Sequence, residues 1–510
     1  MRCIVLGIAF ATIAGCGGDH RGQDLPPGRL VVGAGADASP SGAFQARLGV
    51  YPLNVNVAEP LVRLTPALTV EPLLATRWEY HGSDTWRFTL RQNVRFHDGQ
   101  RLTAAAVKES LLQVVKARLG YGFLEENSFS IVNDSTIDIT PTQPNLRLPE
   151  QLVHPNYSIF APKTEPGIRP IGTGPFRFVE YEPNNRITVV RNDSYWGTPA
   201  FLDQITFRFY PDPTTRVLAL AAGEVDMVMD LPREQVRSIT SRAGLRVERA
   251  PIGLILALQV NSHGSAPYDV LTDRALRRAI GLSIDREGLV ERVWEGEAEA
   301  VQNMTVPAVL GRFSGLVRGF PYDQRRAAAL LDSAGWRQGA DHIRNKNGRR
   351  LRLVLLANPE TDPGTVEFLQ AELRKVGIEV AWPKLPDIGS YAARLNRGEF
   401  DLNLSLSNQN DANPLFLPAL IFYSKSTRPF ARWHLAGEQF DRLVSAGMRT
   451  PDPSEAQRLA AEAIHVAVDE EAVLIPVAAL FRLYAMKTSV EGFSPHPSST
   501  NQLWAHVVLK

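Results

Sequence analysis

Cysteine is almost missing: Cys3 and Cys16 are the only two in 510 residues. That excludes a disulfide-stapled scaffold, and once a leader ending at residue 15 is removed no intramolecular disulfide can form. Charge of one sign is missing too, since 55 basic residues face 54 acidic ones for a net +1. Such a chain sets up no field that gathers nucleic acid or an anionic surface. Beyond the first sixteen residues no apolar run approaches the ~18 residues at which a membrane-spanning helix becomes a candidate. Residues 252–260 are apolar but too short, and read as a buried strand. The motifs of common catalysts are lacking as well: there is no His-Glu-x-x-His, no Gly-x-Ser-x-Gly, no P-loop and no Cys/His cluster. The ten histidines are scattered, and His263 and His434 read as loop or core residues. Binding therefore ranks above an envelope hydrolase, and neither cofactor nor metal is expected.

What is present is an ordinary globular composition, 44% hydrophobic, with 38 glycines and 36 prolines supplying turns. The length allows two or three domains with substantial cores. Met1-Arg2, the apolar residues 4–13 and the small residues up to Cys16 read as an export signal. Its end, Ile13-Ala14-Gly15-Cys16, resembles a bacterial lipobox, which implies lipid attachment at Cys16; an ordinary cleavage site is the alternative. Residues 17–28 then form a flexible tether, and the protein is anchored to a membrane rather than spanning it.

The centre of the chain carries a β-hairpin pattern. Phe176, Phe178, Ile187 and Val189 alternate with polar residues about the turn Glu182-Pro183-Asn184-Asn185, and Gly172-Thr173-Gly174-Pro175 precedes them. Pro175 and the alternation deny a phosphate-binding helix start there, so the stretch is scaffold. Gly33-Ala34-Gly35-Ala36-Asp37 fits a loose dinucleotide pattern, but Ser39-Pro40-Ser41-Gly42 breaks the helix it needs; a loop leaving the first strand at a ligand cleft is the better reading. His97-Asp98-Gly99 reads as a strand-end turn, not an acid/base pair. Residues 205–229 give strand, helix and strand, hence a parallel crossover, with Asp226 expected toward solvent or a cleft lip. Helices 273–282 and 285–293 each begin at an aspartate N-cap, and spacing places several of Arg274, Arg277, Arg278 and Arg286 on a solvated face.

From residue 351 the pattern is β-α-β-α-β, a half of a doubly wound sheet, in which ligands bind beyond the carboxyl ends of the strands. The expected lip includes Asn358 after one strand and Asn408, Asn410 and Asp411 after another. A fixed carboxylate at Asp411 can receive a ligand ammonium, or can instead bond its own loop before Pro414; the residues alone leave both open.

Several blocks together resemble the dipeptide/oligopeptide/nickel family of ABC-transporter substrate-binding proteins, extracellular solute-binding family 5. They are residues 171–176 with Arg191-Asn192-Asp193-Ser194-Tyr195-Trp196-Gly197, residues 90–99 with 102–107, residues 277–280 with 283–286, and residues 322–336. The resemblance implies an α/β, type II periplasmic-binding fold with two mixed-sheet lobes and an inserted α+β domain. It divides the chain into a signal (1–15), a tether (16–28), a first lobe (29–62, 172–268 and 473–510), an inserted domain (63–171) and a second lobe (269–472). It implies capture of short peptides by hinge closure for an ABC permease, by a monomer without enzymatic activity. It also tips Asp411 toward holding a peptide amine; Asp37, in the loop leaving the first strand, is expected at the ligand cleft from the residues themselves. Ser407 and Asn408 stand where the family's peptide binders carry Gly-Trp, so a metal chelate or oligosaccharide remains an alternative ligand, and a sensor an alternative role.

Overall fold

The computed structural model describes residues 28–35, 56–117, 123–162, 170–250, 254–409, 411–426, 436–498 and 501–510. The leader, Cys16, Asp37, Asn410 and His434 lie outside the described residues.

The first lobe is a seven-stranded sheet. Arg29–Ala34 lies between the parallel strands Gln204–Phe209 and Met227–Met229, joined by the helix Pro213–Ala221, which Asp212 caps by accepting the N–H of Thr215. The expected hairpin follows on one side, Phe176–Glu182 against Arg186–Arg191. On the other side Leu483–Lys487 enters between Met227–Met229 and Leu245–Arg249. Leu30, Val32, Phe176, Ile205, Met227, Tyr484 and Trp504 fill the core beneath.

The second lobe is a six-stranded mixed sheet. Arg352–Ala357, Glu379–Ala381 and Leu402–Asn408 run parallel, with the helices Pro363–Lys375 and Ile388–Arg397 between them, as the periodicity predicts. Leu254–Val260 pairs antiparallel with both Leu402–Asn408 and Leu474–Leu480. Residues 254–260 and 474–480, given to the first lobe on sequence, therefore belong to the second sheet. The reason is burial: Ile255 to Val260 are all buried, and only a central position covers both faces of such a strand.

The third unit, nested in the first lobe, packs the helix Ala104–Lys116 on a four-stranded antiparallel sheet. Thr103 caps that helix by accepting the N–H of Ala106, and Val107, Leu111 and Val114 face Phe88, Leu90 and Ile137.

Three charged side chains depart from the solvent-facing expectation. Asp226 is buried: its carboxylate accepts the N–H of Val31 at 2.9 Å and meets Lys487 Nζ at 2.8 Å. Arg277 and Arg286 are each 4% exposed. Arg277 donates to the carbonyls of Leu271, Thr272 and Glu471, and Arg286 to those of Pro476 and Phe320. Burial lowers the Arg286 pKa to about 10.

Asp401 provides a pH test of this lobe. Its Oδ2 accepts the N–H of Val354 at 2.7 Å, its Oδ1 is buried without a partner among the described residues, and burial raises its pKa to about 6. A raised carboxyl contributes most while protonated, below its ordinary value, and that contribution is lost as pH rises through about 6. At ~1.4 kcal/mol per unit the ceiling is about 3 kcal/mol. Asp401→Asn keeps the Val354 acceptor but adds an N–H without one, which offsets about 1 kcal/mol. The variant is expected to be more stable than the parent by about 1–2 kcal/mol at pH 7, with the gain vanishing near pH 4 in urea titrations. A gain independent of pH would show that the carboxyl does not titrate as described.

Candidate functional site

The carboxyl ends of the neighbouring parallel strands Arg352–Ala357 and Leu402–Asn408 deliver two loops to one edge of the second lobe. Asn358, half-buried, opens the first; its Oδ1 accepts the N–H of Glu360 at 3.0 Å, so it shapes the loop. Asn408, also half-buried, ends the second strand opposite Leu254.

Asp411 follows in the second loop and is 0% exposed. One carboxylate oxygen, Oδ1, accepts the N–H of Asn413 at 3.1 Å and Gln409 Nε2 at 3.2 Å. The other, Oδ2, is buried with no hydrogen-bond partner among the described residues. The loop-tying reading thus has a geometric counterpart in Oδ1, while Oδ2 has none among the described residues. Burial drives the Asp411 pKa well above the ordinary carboxylate range, and the nearby Glu150 adds to the rise. Glu150 lies on the short helix Leu148–Gln151 of the inserted domain, ion-paired with Arg147 at 2.9 Å, and its carbonyl accepts the N–H of Ala412.

This loop is joined to a cavity between the inserted domain and the second lobe. Asn413 donates from Nδ2 to Met448 Sδ, and Met448 lines the cavity. The space is about 150 Å³, walled by Phe123, Gln151, Tyr423, Lys425 and Arg449 among others. Neither Lys425 nor Arg449 has an ion-pair partner among the described residues. An aromatic and aliphatic wall with two free cations suits an organic carboxylate. Sequence reasoning did not single out Glu150, Lys425 or Arg449, because no motif marks them; the cavity forms only when segments about 300 positions apart meet.

The central glycine stretch is organised by another residue that sequence reasoning left unassigned. Glu59, 5% exposed, accepts from Thr173 Oγ1 at 2.7 Å, Tyr195 Oη at 2.6 Å and Trp196 Nε1 at 3.0 Å. Burial raises its pKa despite those donors. It thereby ties the entry to the inserted domain to the two motif segments that follow the domain. His97 closes the same joint: Gly172 N–H donates to its Nδ1, so the ring is neutral and its Nε2 donates to the Gly174 carbonyl at 3.0 Å. Burial lowers its pKa to about 4, in keeping with a structural turn.

Two lobes on separate mixed sheets, a third unit nested in the first, and a polar loop edge beside a cavity define an extracytoplasmic solute-binding protein of the type II periplasmic-binding fold. The chain belongs to the bacterial extracellular solute-binding proteins, family 5, whose middle-region model matches residues 69–428. It is 28% identical over 468 residues to the nickel-binding periplasmic protein of Escherichia coli strain K12, covering 87% of each chain. It is similar to the structure of NikA from Brucella suis in complex with Fe(III)-EDTA, with a TM-score of 0.82 and 25% identity, covering 94% of this chain and 100% of that one. In fold it also matches DppA from Helicobacter pylori in complex with the peptide STSA, with a TM-score of 0.76 and 23% identity, covering 94% and 98% of the two chains. The protein is thus a solute-binding component of an ABC importer, and its relatives are binding proteins rather than enzymes.

Proposed function

We propose that the protein captures a small solute bearing both an amine and a carboxylate, foremost a short peptide, and delivers it unchanged to a membrane permease. The observation that carries this reading is that the loop holding Asp411, whose Oδ2 is buried without a partner among the described residues, touches through Asn413 the Met448 wall of a cavity lined by Lys425 and Arg449, neither ion-paired among the described residues. A ligand ammonium supplies the charge Asp411 lacks, and a ligand carboxylate answers the two cations. Asn358, Asn408, Asn410 and Asp37 are assigned to the rim. Capture proceeds by closure of the lobes about the joint beside Ala250 and Arg482, where the Ala250 N–H donates to the Arg482 carbonyl at 2.9 Å. The ligand favours the closed state by the contacts it gains there. The protein acts as a monomer, held at the envelope by acyl chains on Cys16.

A second reading is a chelate whose metal is wrapped in amino or carboxylate groups. Likeness to a nickel-binding relative and to a structure holding Fe(III)-EDTA favours it. Native mass spectrometry of protein taken gently from its own envelope separates the two. A ladder of masses matching short peptides supports the peptide reading. A single mass with a transition-metal isotope pattern transfers the site to a chelate, and a neutral sugar mass overturns both.

A further inference from the structure

The basic run 274–286 is split by the fold, and its outward half builds something the solute site does not use. Arg277 and Arg286 turn inward to carbonyls, whereas Arg274 and Arg278 open onto a cavity of about 760 Å³ on the second lobe. The helix Arg274–Ser283, the turn at residues 317–321 and the helix Gln324–Ser333 bring Arg318 and Arg326 to the same space. The guanidinium groups of Arg278, Arg318 and Arg326 have no hydrogen-bonded or ion-paired partner among the described residues.

The acids nearby are already engaged. Asp469, the carboxylate of the cavity wall, accepts the backbone N–H groups of Arg318 at 2.9 Å and Gly319 at 2.5 Å, and His465 Nδ1 lies 2.6 Å away. Glu471 meets Arg277 at 3.0 Å and Arg274 at 3.2 Å, and Glu470 faces the other side of the His465 ring at 3.5 Å. Phe320, buried and fixed by Gln302, forms an apolar floor with Leu282 and Leu330. Three guanidinium forks lining one cavity over an apolar floor, none paired among the described residues, match a compact polyanion on an organic body, because each fork presents paired donors to phosphate-type oxygens.

We infer that this cavity is a second binding site, separate from the solute site, for an organic phosphate group. The group belongs either to a free molecule or to a lipid headgroup, since the donor geometry recognises the shared phosphate. Arg278 and Arg326 are its principal contacts, and Arg318 closes it at the exposed rim.

The test is the mature protein against its Arg278→Gln/Arg326→Gln double variant, with Arg318→Gln as a milder companion. Pyrophosphate is the free probe, followed by calorimetry at low and at physiological salt. Vesicles of phosphatidylglycerol, with phosphatidylcholine as control, are the lipid probe, followed by flotation of unlipidated protein. Saturable pyrophosphate binding that the double variant weakens at least tenfold supports the site and a free ligand. Flotation only with phosphatidylglycerol, lost in the double variant, supports the site and a headgroup. Absence of both, or equal behaviour of parent and variants, overturns the inference. Folding of the variants is checked by an unchanged melting temperature, and Arg318→Gln gives an independent reading because it tests the third guanidinium, on a different element, without touching the helix residues Arg278 and Arg326.

Discussion

Replacing Asp411 by asparagine is expected to weaken an amine-bearing solute at least about tenfold while leaving the empty protein no less stable, because one charge-assisted hydrogen bond contributes about 1.5–3 kcal/mol. Asparagine keeps an oxygen for the Asn413 N–H, so the loop tie survives, and it removes a carboxyl that burial disfavours in its charged form. Stability and affinity should therefore move in different directions. Calorimetry with a peptide and its N-acetylated form makes the reading specific. The parent should discriminate strongly between the two and the variant hardly at all. Equal affinity of parent and variant for the free-amine peptide would remove Asp411 from the ligand site and leave it as a loop residue.

The second large effect is expected at Gly174. The stretch at residues 172–174 passes so close to residues 56–57 that a Cβ at 174 would overlap the Asn56 carbonyl oxygen, and one at 172 would overlap that of Val57. The neighbours are backbone, fixed by the hydrogen bonds from Gly174 N to the Val57 carbonyl at 3.1 Å and from Phe176 N to the Asn56 carbonyl at 3.3 Å. No side chain can swing aside. Gly174→Ala is expected to cost roughly 3 kcal/mol or more, a drop of several degrees in the first melting transition. A variant melting within one degree of the parent would show that the two segments separate without penalty.

These cases also show where the sequence was legible. The hairpin at 176–191 and the β-α-β-α-β run from 352 to 408 follow from local periodicity and caps, and both appear as expected. The turn reading of His97 also holds, its ring engaged with Gly172 and Gly174. Asp226 misleads because its strand alternates correctly, yet the cation that meets it, Lys487, comes from 261 positions away. Arg277 and Arg286 mislead likewise: spacing gives the face of a helix, but not the carbonyl ends that fold over that face. Residues 254–260 read correctly as a buried strand, while the sheet they enter is decided by a partner about 150 positions later. At Asp411 the sequence offers a tied loop or an anchoring charge; Oδ1 ties the loop, and the anchoring role stays with the proposal above.

The strand Leu483–Lys487 also sets the order in which the molecule can be assembled. It lies inside the first sheet, between strands that precede it by more than 230 positions, and it brings the lysine that meets Asp226. The second lobe, by contrast, draws its sheet entirely from residues 254–480. A chain emerging amino end first can finish the later lobe while the earlier one still has a gap in its sheet. The part that starts first is completed last, and until then the two sides of that gap are open edges that the arriving strand must find before another chain does.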